Sequence, residues 1–164
     1  MTYANLSKFY INGEWVAPLG GATMGVENPA NEEIVAQVAL GSVADADRAI
    51  MAARAAFDGF TSWKPADRIA LLEAILAEYN KRYEEFAVAM STEMGAPMAW
   101  AREAQAWAGQ VHIESTIKAA KEFHWEEMRG DTLLIREGIG VCALITPWNW
   151  PMNQIACKVA PAIA

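Results

Sequence analysis

The alternation of apolar and polar positions divides the chain into a β-rich opening, a helical middle and a closing strand–turn–helix. In residues 8–40, Phe9-Tyr10-Ile11 and Glu14-Trp15-Val16 flank Asn12-Gly13, a dipeptide that tolerates positive φ and favours a tight hairpin. Val26-Glu27-Asn28-Pro29 breaks into a turn. Ile34, Ala36 and Val38 then alternate with Val35 and Gln37, which predicts a strand buried mainly on one face. The period next lengthens to that of helices. Ser42 and Asp45 form a capping pair, Ala46, Ala49, Ile50, Ala53 and Phe57 follow on one stripe, and Gly59 ends the run. A second helix opens at Pro65, where a missing N–H is harmless. It carries Ile69, Leu72, Leu76, Tyr79, Tyr83 and Phe86 on one face and closes near Gly95. A third follows Pro97, with Trp100, Ala104, Trp107, Ala108 and Val111 on its apolar side. These stripes read as packing surfaces.

Beyond Gly130 the period changes again. Residues 133–135 read as a strand, Gly138-Ile139-Gly140 as a break, residues 141–145 as a buried strand and residues 152–164 as a helix. The order of elements places the chain in the α/β class. It contains no internal repeat, low-complexity tract or linker.

Composition narrows the picture. Hydrophobic residues make up 54% and charged residues 20% of the 164, a globular balance. Seven Trp and eight Met are more large apolar surface than a small, simple domain usually buries. A net charge of −7 disfavours a nucleic-acid groove or an anionic membrane as partner. Cys142 and Cys157 lie in apolar surroundings with no disulfide framework, which fits a reducing compartment. Met1-Thr2-Tyr3-Ala4-Asn5 has neither the basic nor the apolar region of a secretory leader, and no apolar run is long enough for a bilayer. The chain reads as soluble and cytoplasmic. His112 and His124 stand without neighbouring ligands, so no metal site is expected.

The chemistry concentrates in Ile145-Thr146-Pro147-Trp148-Asn149-Trp150-Pro151, which joins a strand to a helix where open α/β sheets place their ligands. Each proline biases its predecessor toward extended geometry, and Pro151 also suits a first helical turn. Two prolines and two indoles make a stiff turn around one polar group, Asn149. Its neutral amide can stabilise a developing oxyanion without supplying a proton. Two arrangements are open: Pro151 starts the helix, Trp150 takes the N-cap place and the Asn149 amide stays free, or Asn149 itself caps the helix.

The run Gly140-Val141-Cys142-Ala143-Leu144-Ile145-Thr146-Pro147-Trp148-Asn149-Trp150-Pro151 resembles the strand–turn–helix that opens the cofactor domain of the aldehyde dehydrogenase superfamily. Phe9-Tyr10-Ile11-Asn12-Gly13-Glu14-Trp15 is similar to that family's opening hairpin, Asn28-Pro29-Ala30 to its following turn, and Thr92-Glu93-Met94-Gly95-Ala96-Pro97 to a Glu-Thr-Gly-x-Pro segment with Met in place of Thr. The resemblance covers essentially the whole chain and implies the N-terminal part of the family fold. Residues 1–130 would hold the hairpins and helical part of the cofactor-binding domain, 131–138 an oligomerisation strand, and 139–164 the start of a Rossmann-like core.

By the same resemblance, Ile145, Thr146, Pro147 and Trp148 match positions lining the cleft for NAD (or NADP), and Asn149 matches the side-chain donor of the oxyanion hole. Trp150, Asn153, Gln154 and Cys157 match positions along the substrate tunnel, where relatives often carry larger apolar groups; this departure implies a more polar wall. Lys158 matches a basic residue near the site, and residues 133–136 match the strand of the oligomerisation sheet. The family oxidises aldehydes to carboxylic acids through a Cys thiohemiacetal and thioester, with hydride transfer to NAD(P)+ and a carboxylate general base. The expected partners are a small-molecule aldehyde and further copies of the chain, as a homodimer or homotetramer at full length.

The family's catalytic Cys and Glu fall later than residue 164, so the chain alone is expected to be inactive. Neither of its own cysteines has the electropositive, accessible setting of a reactive thiol, and Lys158 should point away from Cys157. The alternative reading is a non-catalytic interaction or oligomerisation module that keeps the family's N-terminal scaffold.

Overall fold

The computed structural model describes residues 4–164; Met1, Thr2 and Tyr3, at which the reading for a leader begins, lie outside the described residues. β1 (Phe9–Ile11) and β2 (Glu14–Val16) pair antiparallel with Tyr10 opposite Trp15, the register the sequence implies. Asn12 and Gly13 take φ of 54° and 81°, the turn whose twist matches that of the strands. β3 (Thr23–Asn28) and β4 (Glu33–Ala39) form a second antiparallel pair with a bulge between Val26 and Glu27. Residues 26–28, expected in a turn, therefore belong to a strand, and the chain reverses only from Pro29. The bulge also disturbs the alternation expected in β4: Ile34 is exposed, whereas the adjacent Val35 and Ala36 are both half-buried.

α1 (Val43–Thr61) begins with the anticipated capping box. Ser42 N–H donates to Asp45 Oδ2 at 3.0 Å and Asp45 N–H to Ser42 Oγ at 3.2 Å. Leu19 N–H also donates to the Asp45 carboxylate, at 2.9 Å, and so does Arg48, at 3.3 Å. These donors, the Ser42 hydroxyl foremost, hold the Asp45 carboxyl at about 2, well below its ordinary value. The helix does not stop at Gly59. An interior glycine costs only about 1 kcal/mol, and the extra turn lets Phe60 meet Trp63 with ring centroids 5.3 Å apart.

The single helix expected over residues 65–95 is two, α2 (Pro65–Lys81) and α3 (Tyr83–Met94), broken at Arg82 with φ −107° and ψ 11°. The next helix explains the break. A single turn, α4 (Met98–Trp100), runs into a π-helical stretch (Ala101–Ala106) and on into α5 (Trp107–Glu122). Wider winding leaves carbonyls poorly served within the helix. Tyr79 Oη donates to Ala106 O and Tyr83 Oη to Arg102 O, each at 2.7 Å, so two tyrosines on either side of the break serve the π stretch. The altered winding rotates the apolar face. Trp100 and Trp107, expected inside, are exposed, Ala108 is buried as expected, and Ala101, Gln105 and Ala106 are buried in place of the indoles.

After α5, β5 (Glu126–Arg129) and β6 (Thr132–Ile135) form a hairpin that straddles Gly130. β6 was legible; β5 was not, because Glu-Glu-Met-Arg carries no apolar alternation. Residues 141–145 do not form the expected strand and have no ladder partner among the described residues, and Val141, Leu144 and Ile145 are exposed. An apolar strand of a parallel sheet needs neighbours to bond its backbone, and none of the described residues supplies one.

α6 (Pro151–Ile163) closes the chain. Leu72 and Tyr79 of α2, Ile113 and Ile117 of α5 and Ala156 and Ala160 of α6 make one core cluster. Ala87, Met90, Ala96, Ala101 and Ala106 make another, and Met152 packs against both. At their junction Gly109 admits no side chain: a Cβ there would lie 2.9 Å from Met152 Cβ and 3.0 Å from Tyr79 Cζ. Gly109→Ala is therefore expected to destabilise the protein by about 1–3 kcal/mol, read as a lower urea midpoint at unchanged slope. For Asp45, whose folded pKa is depressed, the stabilisation is full above its ordinary value of 3.8 and is lost as pH falls through about 2. Asp45→Asn should flatten that part of the stability-against-pH curve measured by denaturant unfolding between pH 5 and pH 2, and an unaltered curve would refute the assignment.

Candidate functional site

α6 presents three faces. At roughly 100° per residue, Met152, Ala156, Ala160 and Ile163 form the buried face against α2 and α5. Pro151 and Ile155 form one flank, which lines a cleft of about 630 Å³ together with Thr146, Pro147 and Trp148. Asn153, Gln154 and Cys157 share the adjacent flank with Trp150 at its start, so the helix residues matched to a tunnel and those lining the cleft lie on neighbouring flanks of one helix. Ile145 is 85% exposed and is not among the residues lining the cleft, which separates it from the other three of its group.

Asn149 lies two residues before the helix, and it is not among the residues lining the cleft. Pro151 is the first helical residue and Trp150 the N-cap, its carbonyl accepting from Gln154 N–H at 2.9 Å. No side chain caps the helix. The alternative in which Asn149 caps is thereby excluded. Its amide is exposed and has no hydrogen-bond partner among the described residues. Trp150 is half-buried and packs edge-to-face on Trp100, ring centroids 5.7 Å apart at 71°.

On the second flank, Gln154 Oε1 accepts from Lys158 Nζ at 2.7 Å, so part of its polarity is already engaged. The same ammonium lies 3.9 Å from Cys157 Sγ. Lys158 was expected to point elsewhere, but its long stem folds back along the helix. Cys157 lines a separate cavity of about 400 Å³ with His112, Thr116, Phe123, Trp125 and Pro161, a wall more apolar than the residues on α6 alone imply. Among the described residues neither Cys157 nor the exposed Cys142 has a histidine or carboxylate within hydrogen-bonding distance, and no three metal-ligating side chains come together.

The far wall of the cleft escaped the sequence reading. It is built from Val26, Glu27, Pro29, Glu93 and Met94. Their signal was present but misfiled: Asn28-Pro29 and Glu93-Met94-Gly95 stood out as short motifs with no sign that they meet. Gly95 ends α3 with φ 78°, and a Cβ there would sit 2.6 Å from Pro29 Cγ. The left-handed cap and the missing side chain together let the β3 turn close onto α3. Trp100 was likewise read only as core.

Comparison with known proteins places this arrangement. The profile of the aldehyde dehydrogenase family matches residues 15–164. The chain is 45% identical over 158 residues to 3-succinoylsemialdehyde-pyridine dehydrogenase of a Pseudomonas species, covering 96% of this chain and 33% of that protein. A variant of aldehyde dehydrogenase C from Pseudomonas syringae, solved with NAD+ and octanal, superposes with a TM-score of 0.95 at 47% identity, covering 97% of this chain and 33% of that one. An aldehyde dehydrogenase from Bartonella henselae gives 0.92 at 46% identity, covering 95% and 34%. The chain thus spans about a third of the length of the relatives it matches. No helix among the described residues is long and apolar enough to cross a membrane. With a family profile that runs through both halves of the cleft and the Asn149 corner, the chain belongs to the aldehyde dehydrogenase family.

Proposed function

We propose that this chain serves, with the rest of the family fold, in oxidation of an aldehyde to a carboxylic acid with NAD(P)+, and that Asn149 is the side-chain donor to the oxyanion. One observation carries the reading: Trp150 takes the N-cap position of the helix after the corner, which leaves the Asn149 side chain unbonded among the described residues at an exposed, proline-braced position. A neutral amide held there lends two N–H donors to an oxygen gaining negative charge and gives up no proton. Relatives solved with NAD+, and one with octanal as well, support the reaction class.

The cleft residues fit one end of a nicotinamide dinucleotide. Pro147, Trp148 and Ile155 make a rigid apolar wall suited to a flat aromatic ring, and the ionisable residues of the cleft, Glu27 and Glu93, suit the cationic ring of the oxidised nicotinamide better than a pyrophosphate. Thr146, Pro147 and Trp148 would therefore flank the ring end. When bound, the cofactor accepts the hydride. Trp150, Asn153, Gln154 and Cys157 form the wall on the aldehyde's side, away from the cofactor. The hairpin β5–β6 exposes Met128, Leu133 and Ile135, apolar surface that fits the expected pairing with another copy in a homodimer or homotetramer.

In the full-length protein, Asn149→Ala should lower kcat by roughly 10²–10³ with little change in melting temperature, because no cap is lost. A kcat within about threefold of the parent would remove the oxyanion role. Trp148→Ala is expected to raise the KM for NAD(P)+ several-fold and leave the KM for aldehyde nearly constant in steady-state assays, since Trp148 is 79% exposed and lines the cleft.

A further inference from the structure

Residues 136–150 contain no regular element, and the segment leading into the Asn149 corner has no ladder partner among the described residues. The segment leading out is held at two successive places. Met152 is wedged between both core clusters. Trp150, immediately after Asn149, rests edge-on against Trp100. Trp100 in turn stands on well-held backbone. It ends α4 directly before the π stretch, whose Ala101 and Ala106 are fully buried. The hydroxyls of Tyr79 and Tyr83 bond to carbonyls of that stretch, and the Arg102 guanidinium grips the Glu84 carboxylate of α3 with two hydrogen bonds, of 2.9 and 2.6 Å. Wide winding at this point has a consequence for side-chain direction. The regular pattern that predicted Trp100 in the core fails here, and the indole is turned out to meet Trp150.

We propose that Trp100 is a positioning residue for Asn149: it clamps the Trp150 ring, and through the intervening peptide fixes the direction of the Asn149 amide. This rests on the oxyanion role proposed above. Edge-to-face aromatic pairs resist sliding and rotation of either ring, and a donor works only if it is held close to the productive geometry. Trp100 is not among the residues lining the cleft, so its effect should fall on the chemical step.

The test is a double-mutant cycle in the full-length enzyme with a two- or three-carbon aldehyde, which is too short to lean on either indole. Trp100→Ala should lower kcat about tenfold, leave the KM for NAD(P)+ within twofold, and be largely rescued by Trp100→Phe, which keeps an aromatic edge. In the Asn149→Ala background, Trp100→Ala should have no further effect on kcat. Circular dichroism melting of each variant checks that the fold survives, and Trp100→Phe remains informative if the alanine variant is unstable. Losses that simply multiply in the double variant would overturn the positioning role while leaving the oxyanion role intact. An Asn149→Ala enzyme with parental kcat would overturn both.

Discussion

The seating of α6 on α5 is the constraint from which the site derives. Two helices approach this closely only where one presents no side chain, and Gly109 provides that place for Met152. Burying a methionine side chain contributes about 1.5–3 kcal/mol, and Met152 lies where both core clusters converge. Because it is the second residue of α6, the same contact sets where the helix starts. Everything just before it, Trp150 and Asn149 included, inherits that placement. With its inner face committed to the core, α6 is left with two outer flanks, one of which lines the cleft.

The π stretch is the second constraint, and it is maintained by polar chemistry. Burial pushes the Tyr79 hydroxyl above its ordinary pKa, so it remains a proton donor to Ala106 O. The break at Arg82 is what lets tyrosines of two helices reach the same stretch. Gln105, buried within it, has its Oε1 without a partner among the described residues, a local cost of about 1–3 kcal/mol.

Local signals were read well wherever a short run of residues suffices. The Asn12-Gly13 turn needs only two residues that tolerate positive φ; the Ser42–Asp45 box and the Pro65 and Pro151 helix starts need only one turn of backbone. Periodicity failed where a distant partner overrides it. Residues 141–145 have strand composition but no ladder partner among the described residues. Trp100 and Trp107 obey an α-helical period that the π winding abolishes, and Ile145 shares the turn with Thr146 without sharing its cleft.

The amino-acid sequence by itself determined the identity of the corner, its stiffness and the kind of donor it carries, because prolines, indoles and an amide act over a few covalent bonds. Tertiary structure alone decided that the Asn149 side chain stays free, that Asn28-Pro29 and Glu93-Met94-Gly95 meet as one wall, and that Trp100 faces Trp150. Those outcomes depend on which surfaces touch across helices, and contact between residues far apart in the chain leaves no trace in the spacing of either one.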